Sequence, residues 1–143
     1  MHLDHVGIVV RSIETALPHW SELFGYRPVT EVVVNSRQKV KVVFLGKDQS
    51  LPVKLVEPLD ATSPAAAYAA RGGGVHHLCF MCESVASETE RLRAAGARVL
   101  TPPQPGEAFD NESIAFVSVG PGLLVELIDT EKRARQIHAP SST

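Results

Sequence analysis

The residues whose types could do chemistry are two histidines and a glutamate that lie far apart in the sequence. His5 and His77 each stand near the start of an apolar stretch typical of a β-strand, and Glu126 lies inside a third. Two imidazoles and a carboxylate converging from different strands suit a divalent metal ion. A carboxylate among leucines is costly unless it is paired or coordinated. These residues predict a metal site on His5, His77 and Glu126, against the alternative of ordinary polar residues at strand starts.

A repeated spacing relates these residues to one another. Positions 5 and 77, 44 and 116, and 54 and 126 each differ by 72, and the members of each pair lie in strands of similar type. Several features at one offset indicate a duplicated module. The offset sets Lys54 opposite Glu126. A pseudo-twofold axis between the modules would then bring four side chains together: His5, Lys54, His77 and Glu126.

The elements that must position these residues follow the order strand, helix and three strands, twice. Ser12 and Ser84 are the predicted N-caps of two helices, and Gly25 and Gly96 follow the helix ends. Pro18 lies within the first helical pattern and predicts either a later start or a kink. Neither module can bury its sheet alone. We therefore predict an α+β fold in which two paired βαβββ modules form a curved mixed sheet around a cup.

The same repeat predicts how the chain is divided. The first module is residues 1–60 and the second is residues 74–130. Residues 61–73 form a linker helix that should stand apart from the site, because its alanines are too small to do chemistry. The proline-rich residues 102–111 are predicted to be a long loop, and residues 131–143 a polar, frayed tail.

The remaining histidines and the two cysteines are predicted to be structural. His76 should point to the face opposite His77 in a regular strand. Cys79 and Cys82 are three apart, so in a strand they face opposite ways and do not form a redox pair. The other histidines are predicted to lie at the surface: His2, His19 and His138.

The composition excludes several classes of protein. The 143 residues are 44% apolar and 21% charged, which favours one packed globule. The net charge of −2 gives no electrostatic attraction for nucleic acid or an anionic membrane, and the apolar runs are too short to span a bilayer. No signal-peptide pattern opens the chain, so a cytoplasmic location is expected. The expected partner is a small molecule.

Four stretches resemble the vicinal-oxygen-chelate (glyoxalase I, bleomycin resistance and dioxygenase) superfamily: LDHVGIVV, KLVEP, GGGVHHLCF and GLLVELID. Within that superfamily the chain is most similar to methylmalonyl-CoA epimerases. The resemblance implies a divalent ion such as Co²⁺, Ni²⁺, Zn²⁺, Mn²⁺ or Mg²⁺, held by one residue from each of four strands. Those positions are His5, Lys54, His77 and Glu126. The resemblance also implies a homodimer.

Lys54 departs from the superfamily pattern, in which this position is normally Glu or Gln. An ammonium has no lone pair to offer a metal. Its repulsion by a divalent ion about 4 Å away would be about 8 kcal/mol at an effective dielectric of about 20. Either the lysine turns away, or it loses its proton, or the metal is absent. Two further departures are Val42, where similar epimerases carry a second carboxylate, and the turn at residues 118–122, which lacks a His-Pro-Lys-like stretch.

Three functions remain open. The first is an isomerase, epimerase or lyase acting on a small substrate, acyl-CoA included. In it Glu126 removes a proton next to a carbonyl, and a weakened metal site on His5, His77 and Glu126 stabilises the enediolate. The second is a metal-free protein that binds a small molecule, as the antibiotic-sequestering members of the superfamily do. The third is a metal-free catalyst in which Lys54 is the cation or base against Glu126.

Overall fold

The structure is a computed structural model that describes residues 1–137, and in them the chain forms nine strands and three helices. No helix within these residues is long and apolar enough to cross a membrane. In chain order the elements are β1 (His2–Val9), α1 (Ile13–Phe24), β2 (Arg27–Pro28), β3 (Val33–Asn35), β4 (Val40–Gly46), β5 (Val53–Pro58), α2 (Ala66–Ala70), β6 (Gly74–Met81), α3 (Val85–Ala94), β7 (Arg98–Gly106), β8 (Glu112–Ser118) and β9 (Leu124–Ile128).

A single sheet joins the two halves of the chain. Its strand order is β2-β4-β5-β1-β6-β9-β8-β7, and β3 also pairs with β4. β1 runs parallel to β5 and antiparallel to β6, while β6 runs parallel to β9. The series β1-β5-β4 on one side of the β1–β6 pair therefore matches the series β6-β9-β8 on the other side. The predicted α+β fold, with two related halves around a mixed sheet, is confirmed.

The two long helices begin in the same way in both halves. Ser12 and Ser84 are the N-caps, and each hydroxyl accepts a backbone N–H three residues further on at 3.2 Å. A carboxylate from the sheet accepts the N–H of the first helical residue, Glu57 for α1 at 2.7 Å and Asp129 for α3 at 2.9 Å. These bonds satisfy N–H groups that a helix cannot pair internally. Pro18 lies inside α1, which begins at Ile13, so the predicted later start is wrong.

The prediction of a long loop at residues 102–111 is wrong. The first half of this segment belongs to β7, which pairs with β8 as far as Gly106, and Glu107–Phe109 then form a short 3-10 helix. β7 is the edge strand of the sheet. Proline is tolerated there because its nitrogen, which has no hydrogen to donate, can face the side without a neighbouring strand. The register shifts between Thr101 and Gln104, where the prolines interrupt regular pairing. The position in the sheet therefore decides the structure of this segment, and local composition does not.

The chain beyond β9 packs against both halves, so the prediction of a frayed tail is wrong for residues 131–137. We call residues 130–137 the C-terminal segment. Within it, Ala134 is buried and donates its N–H to the carbonyl of Ala108 at 2.9 Å. Thr30 forms an antiparallel bridge with Gln136. The rest of the predicted tail, residues 138–143 with His138, lies outside the described residues.

Candidate active site

Four neighbouring strands carry the predicted site residues. In the sheet, β5, β1, β6 and β9 are consecutive and carry, in that order, Lys54, His5, His77 and Glu126. Gly7 is the register partner of both Lys54 and His77, and Cys79 is the register partner of both His5 and Glu126. Side chains on one face of adjacent strands about 4.8 Å apart can meet. All four are buried, with no more than 4% of any residue exposed.

Glu126 is the centre of this cluster. Its Oε1 atom lies 3.2 Å from Nε2 of His5, 3.2 Å from Nε2 of His77 and 3.4 Å from Nζ of Lys54. Nζ of Lys54 is also 3.5 Å from Oε2 of Glu126. The structure thus brings together all four residues that the repeat places around one axis. The ammonium and the carboxylate are partners, which makes the burial of both tolerable.

The charges in the cluster follow from burial and from these contacts. Burial alone would raise the pKa of Glu126, but the Lys54 ammonium and the two imidazoles hold that pKa well below its usual range. Burial lowers the pKa of His77 to about 4, although the Glu126 carboxylate opposes that shift. Burial and the charge of Glu126 raise the pKa of the Cys79 thiol, which stays protonated. At neutral pH the cluster contains a carboxylate and a neutral His77 imidazole.

Three atoms of the cluster suit a divalent metal ion. One ring nitrogen of His5, one ring nitrogen of His77 and one carboxylate oxygen of Glu126 lie within 4.8 Å of one another. The buried Nε2 of His77 makes no hydrogen bond, although Oε1 of Glu126 is 3.2 Å away. The fourth position does not suit such an ion, because the Lys54 ammonium approaches the same oxygen and has no lone pair. The four residues therefore do not fit a divalent ion while Lys54 is charged and in place.

Aromatic rings hold Lys54 inside the cluster. Its Nζ lies 5.7 Å from the ring centroid of Phe44 and 5.2 Å from that of Phe109. Such cation–π contacts contribute about 0.5–2 kcal/mol each. Phe44 also packs edge to face against His5, with 5.1 Å between the ring centroids. Of the outcomes predicted for Lys54, a side chain turned away from the site is therefore excluded.

Each of the two histidines follows a β-bulge. The register of β1 with β6 shifts at two places, and the residues left without a register partner are Asp4 and His76. Both side chains turn toward the next residue: Oδ2 of Asp4 is 2.7 Å from Nδ1 of His5, and Nδ1 of His76 is 2.9 Å from Nδ1 of His77. The prediction that His76 points away from His77 is wrong, because a bulge interrupts the alternation of side chains.

A narrow cavity reaches the cluster. Its volume is about 50 Å³, room for roughly four water molecules at about 10–15 Å³ each. Lys54, His77 and Glu126 form part of its wall. Most of the remaining wall is apolar, and Asn35, Gln38 and His76 add polar groups: the apolar residues are Val40, Val42, Val56, Pro64, Ala65 and Phe116. Only a small head group fits without rearrangement.

The segment before α2 belongs to this site, so the prediction that the linker stands apart is wrong. Pro64 and Ala65 line the cavity. The Tyr68 hydroxyl donates to the carbonyl of Val75, and its ring lies edge-on to His76 with 5.7 Å between centroids. The reason is topological: β5 and β6 flank β1 on opposite sides, so the connection between them must cross the sheet near the end of β1.

Residues 4–116 match the sequence profile of the Glyoxalase/Bleomycin resistance protein/Dioxygenase superfamily. The chain belongs to this superfamily. The ethylmalonyl-CoA/methylmalonyl-CoA epimerase of Cereibacter sphaeroides is 31% identical over 129 residues, which cover 87% of this chain and 95% of that protein. Two solved structures share the fold of this superfamily member. The methylmalonyl-CoA epimerase of Mycobacterium tuberculosis is 28% identical with a TM-score of 0.78, covering 89% of this chain and 86% of that one. A methylmalonyl-CoA epimerase in complex with methylmalonyl-CoA and NH4+ is 26% identical with a TM-score of 0.79, covering 94% and 96%.

Gly7 leaves the space that the His77 ring occupies, a role that the sequence analysis did not predict. A Cβ atom at this position would lie 2.0 Å from Cε1 of His77. We therefore expect Gly7→Ala to displace His77, to lower the free energy of unfolding by about 1–3 kcal/mol, as overpacking does, and to disable the site. Urea denaturation measures the first effect. The control is Gly46→Ala, where the added atom meets only a methyl group of Val29, at 2.9 Å. Equal losses in both variants would contradict the prediction.

Acid is expected to destabilise the metal-free protein between about pH 6.5 and 4. The pKa of His77 is lowered from 6.5 to about 4 by folding, so in this interval the unfolded chain binds more protons. The stability is fully present above pH 6.5 and falls by up to about 3 kcal/mol toward pH 4. Glu126, whose pKa is also lowered, adds a loss of the same sign at still lower pH. Urea denaturation from pH 7.5 to 4.5 measures the slope, which His77→Asn should flatten; an equally steep slope in that variant would contradict the prediction.

Proposed function

We propose that this chain is an enzyme of the isomerase type that removes a proton next to the carbonyl of a small acyl thioester. The observation that carries the proposal is the buried pair of Lys54 and Glu126, 3.4 Å apart, at the wall of a cavity. A carboxylate beside a fixed cation offers a base for the proton and a counter-charge for the enolate oxygen. The two groups needed for this reaction therefore lie within reach of one small substrate.

Glu126 is the base and Lys54 the cation in this proposal. The lowered pKa of Glu126 keeps the carboxylate ionised at neutral pH. The carbonyl oxygen of a substrate can accept a hydrogen bond from the Lys54 ammonium. The interaction of that ammonium with the Glu126 carboxylate then weakens, and the basicity of Glu126 rises. The proton passes from the α-carbon to Glu126, and the negative charge develops on the oxygen next to Lys54. No step requires a metal ion, because Lys54 already supplies the positive charge.

The residues that line the cavity bear on the type of reaction. Val42 is buried, and Glu126 is the sole carboxylate among the described residues that line the cavity. One base returns a proton to the face from which it came. This favours an isomerisation by proton shift over an epimerisation that uses two carboxylates.

An acyl-CoA is the substrate class that the relatives support. The relative from Cereibacter sphaeroides is an ethylmalonyl-CoA/methylmalonyl-CoA epimerase, and one similar structure contains methylmalonyl-CoA. A cavity of about 50 Å³ admits the reacting carbonyl and its α-carbon, while the bulk of a coenzyme must stay outside. We infer that the acyl group enters the cavity and that the thioester oxygen approaches Lys54.

A second candidate is a metal-free protein that binds a small molecule and performs no reaction. The mostly apolar wall of the cavity favours it, since such walls are typical of ligand pockets. Catalysis and binding differ in one observable. An enzyme of the proposed kind exchanges the α-proton of its substrate with solvent, whereas a binding protein protects that proton or leaves it unaffected.

The test is deuterium incorporation from heavy water, with protein treated with a chelator and methylmalonyl-CoA or ethylmalonyl-CoA as the probe. Mass spectrometry measures exchange at the α-carbon above the rate without protein. We expect exchange with at least one of the two thioesters. Tight binding of both without any added exchange would support the second candidate and contradict the first.

The homodimer and the cytoplasmic location stay predictions. Light scattering at micromolar protein concentration distinguishes a dimer from a monomer of 15.4 kDa. A monomer at that concentration would show the prediction of a homodimer to be wrong.

A further inference from the structure

Arg133 lies in the C-terminal segment, and its largely buried side chain packs against residues of both halves of the chain. Only 12% of the side chain is exposed. Its guanidinium carbon lies 4.8 Å from the ring centroid of Phe44 and 4.9 Å from that of Phe109. These are the two rings that also contact the Lys54 ammonium. Arg133 therefore packs against the same aromatic pair as the cation of the proposed active site.

The guanidinium of Arg133 binds Asp4, the residue whose carboxylate contacts His5. Nη2 of Arg133 donates to Oδ2 of Asp4 at 2.6 Å, and the same oxygen lies 2.7 Å from Nδ1 of His5. Nε2 of His5 in turn lies 3.2 Å from Oε1 of Glu126. A continuous chain of contacts thus runs from Arg133 through Asp4 and His5 to the proposed base. Charge-assisted bonds of this length are among the stronger ones in proteins.

The corresponding position of the second half has no such charge. His76 takes the place of Asp4 in the second half. The group beside the His77 ring is therefore an imidazole, whereas the group beside the His5 ring is a carboxylate. The contact with Arg133 therefore makes the two related halves unequal. Arg133 also lies beyond residues 4–116, which match the superfamily profile.

The C-terminal segment is built to hold Arg133 in place. Ala134 donates its N–H to the carbonyl of Ala108 at 2.9 Å, and Glu31 donates its N–H to the carbonyl of Arg135 at 3.0 Å. These bonds fix the backbone on the C-terminal side of Arg133, so its Cα atom is held within side-chain reach of Asp4. The segment that leaves the second half thereby places a guanidinium on Asp4, next to a histidine of the first half.

We propose that Arg133 is a positioning residue, which acts through Asp4 to fix the orientation of His5 and hence of the Glu126 carboxylate. The catalytic consequence rests on the proposed function; the effect on His5 does not. Arg133 does not line the cavity, so it should influence the rate and leave substrate affinity nearly unchanged. Outer partners that orient a metal-binding histidine change activity about 10–100-fold when they are removed, and we expect an effect of that size for this histidine as well.

The test compares Arg133→Gln and Arg133→Lys with Arg135→Gln. Arg135 is a matched control because it lies in the same segment and pairs with Glu31 at the surface. In the deuterium-exchange assay we expect Arg133→Gln to lower kcat about 10–100-fold with KM within about twofold. Arg133→Lys keeps the charge and should recover most of the rate, and Arg135→Gln should match the wild type. Wild-type kcat in Arg133→Gln, no recovery in Arg133→Lys, or an equal loss in Arg135→Gln would overturn the proposal.

A second readout needs no substrate and separates this inference from the proposed function. The ¹⁵N chemical shifts of the His5 ring report which nitrogen carries the proton. We expect the His5 shifts of Arg133→Lys to match those of the wild type, and the shifts of Arg133→Gln to move, because Asp4 then loses the partner that fixes it beside His5. Unchanged shifts in a folded Arg133→Gln variant, checked by urea denaturation, would overturn the proposal even if the enzyme proves active. Moved shifts without any exchange activity in the wild type would support the positioning and contradict the proposed function.

Discussion

Glu126→Gln is expected to lower the rate of α-proton exchange by about 10²–10⁴-fold, the range in which a positioned base contributes to a reaction. Gln has almost the same shape and keeps an oxygen near His5, His77 and Lys54, but it cannot take a proton. The substitution also removes the counter-charge that lies 3.4 Å from Lys54. A buried charge without its partner destabilises a protein by about 3–5 kcal/mol, so the unfolding midpoint should fall as well.

The control for this variant is Glu112→Gln. Glu112 carries the same charge and pairs with Lys132 at 2.8 Å, but at the surface, where such pairs contribute about 0–1 kcal/mol. We expect wild-type exchange and near wild-type stability in Glu112→Gln. Exchange at the wild-type rate in a folded Glu126→Gln variant would show that another group is the base.

Lys54→Gln and Lys54→Glu are expected to tighten the binding of Co²⁺, Ni²⁺ or Zn²⁺ by tenfold or more, which is at least about 1.4 kcal/mol. Each change replaces an ammonium by an oxygen donor beside the three atoms that already suit a metal. Lys54→Glu should give the larger gain, because it adds a negative charge. Calorimetric titration of chelator-treated protein measures the affinity.

Lys41→Gln is the matched control for the charge change. Lys41 is half-exposed on the neighbouring strand β4 and pairs with Glu57. Its substitution by Gln therefore removes one positive charge without altering the cluster. Its metal affinity should equal that of the wild type. If neither substitution of Lys54 changes metal affinity while the variants stay folded, the ammonium is not what weakens the metal site.

In the absence of metal, Lys54→Gln should also slow α-proton exchange, because the enolate loses its counter-charge.

The parts of the molecule that the sequence predicted are those that local chemistry or the repeat determines. Ser12 and Ser84 cap their helices as the residue types require. The four side chains of the cluster converge because two modules with the same order of elements pair about an axis, and the offset of 72 positions reveals that pairing. A carboxylate in an apolar strand, Glu126, was the local sign of the site. Each of these features depends on a pattern that is contained in the chain itself.

The parts that the sequence did not predict depend on contacts between distant strands. The bulges at Asp4 and His76 arise where β1 and β6 change register, and nothing in the local alternation shows this. The bond from Arg133 to Asp4 joins residues 129 positions apart, and a polar stretch near the end of the chain gives no sign of it. The signal that could have found Asp4 is the offset itself, because positions 4 and 76 also differ by 72.

The position of Lys54 and Glu126 on different halves has a consequence for assembly. β5 carries the positive member and β9 the negative one, and the halves meet where β1 pairs with β6. Two copies of the first half joined in this way would bury two ammonium groups together, and two copies of the second half would bury two carboxylates. Both arrangements leave like charges without partners, which strongly disfavours them. The pair of Lys54 and Glu126 therefore favours the association of a first half with a second half. An exchange of whole halves between two chains would also keep both charges paired.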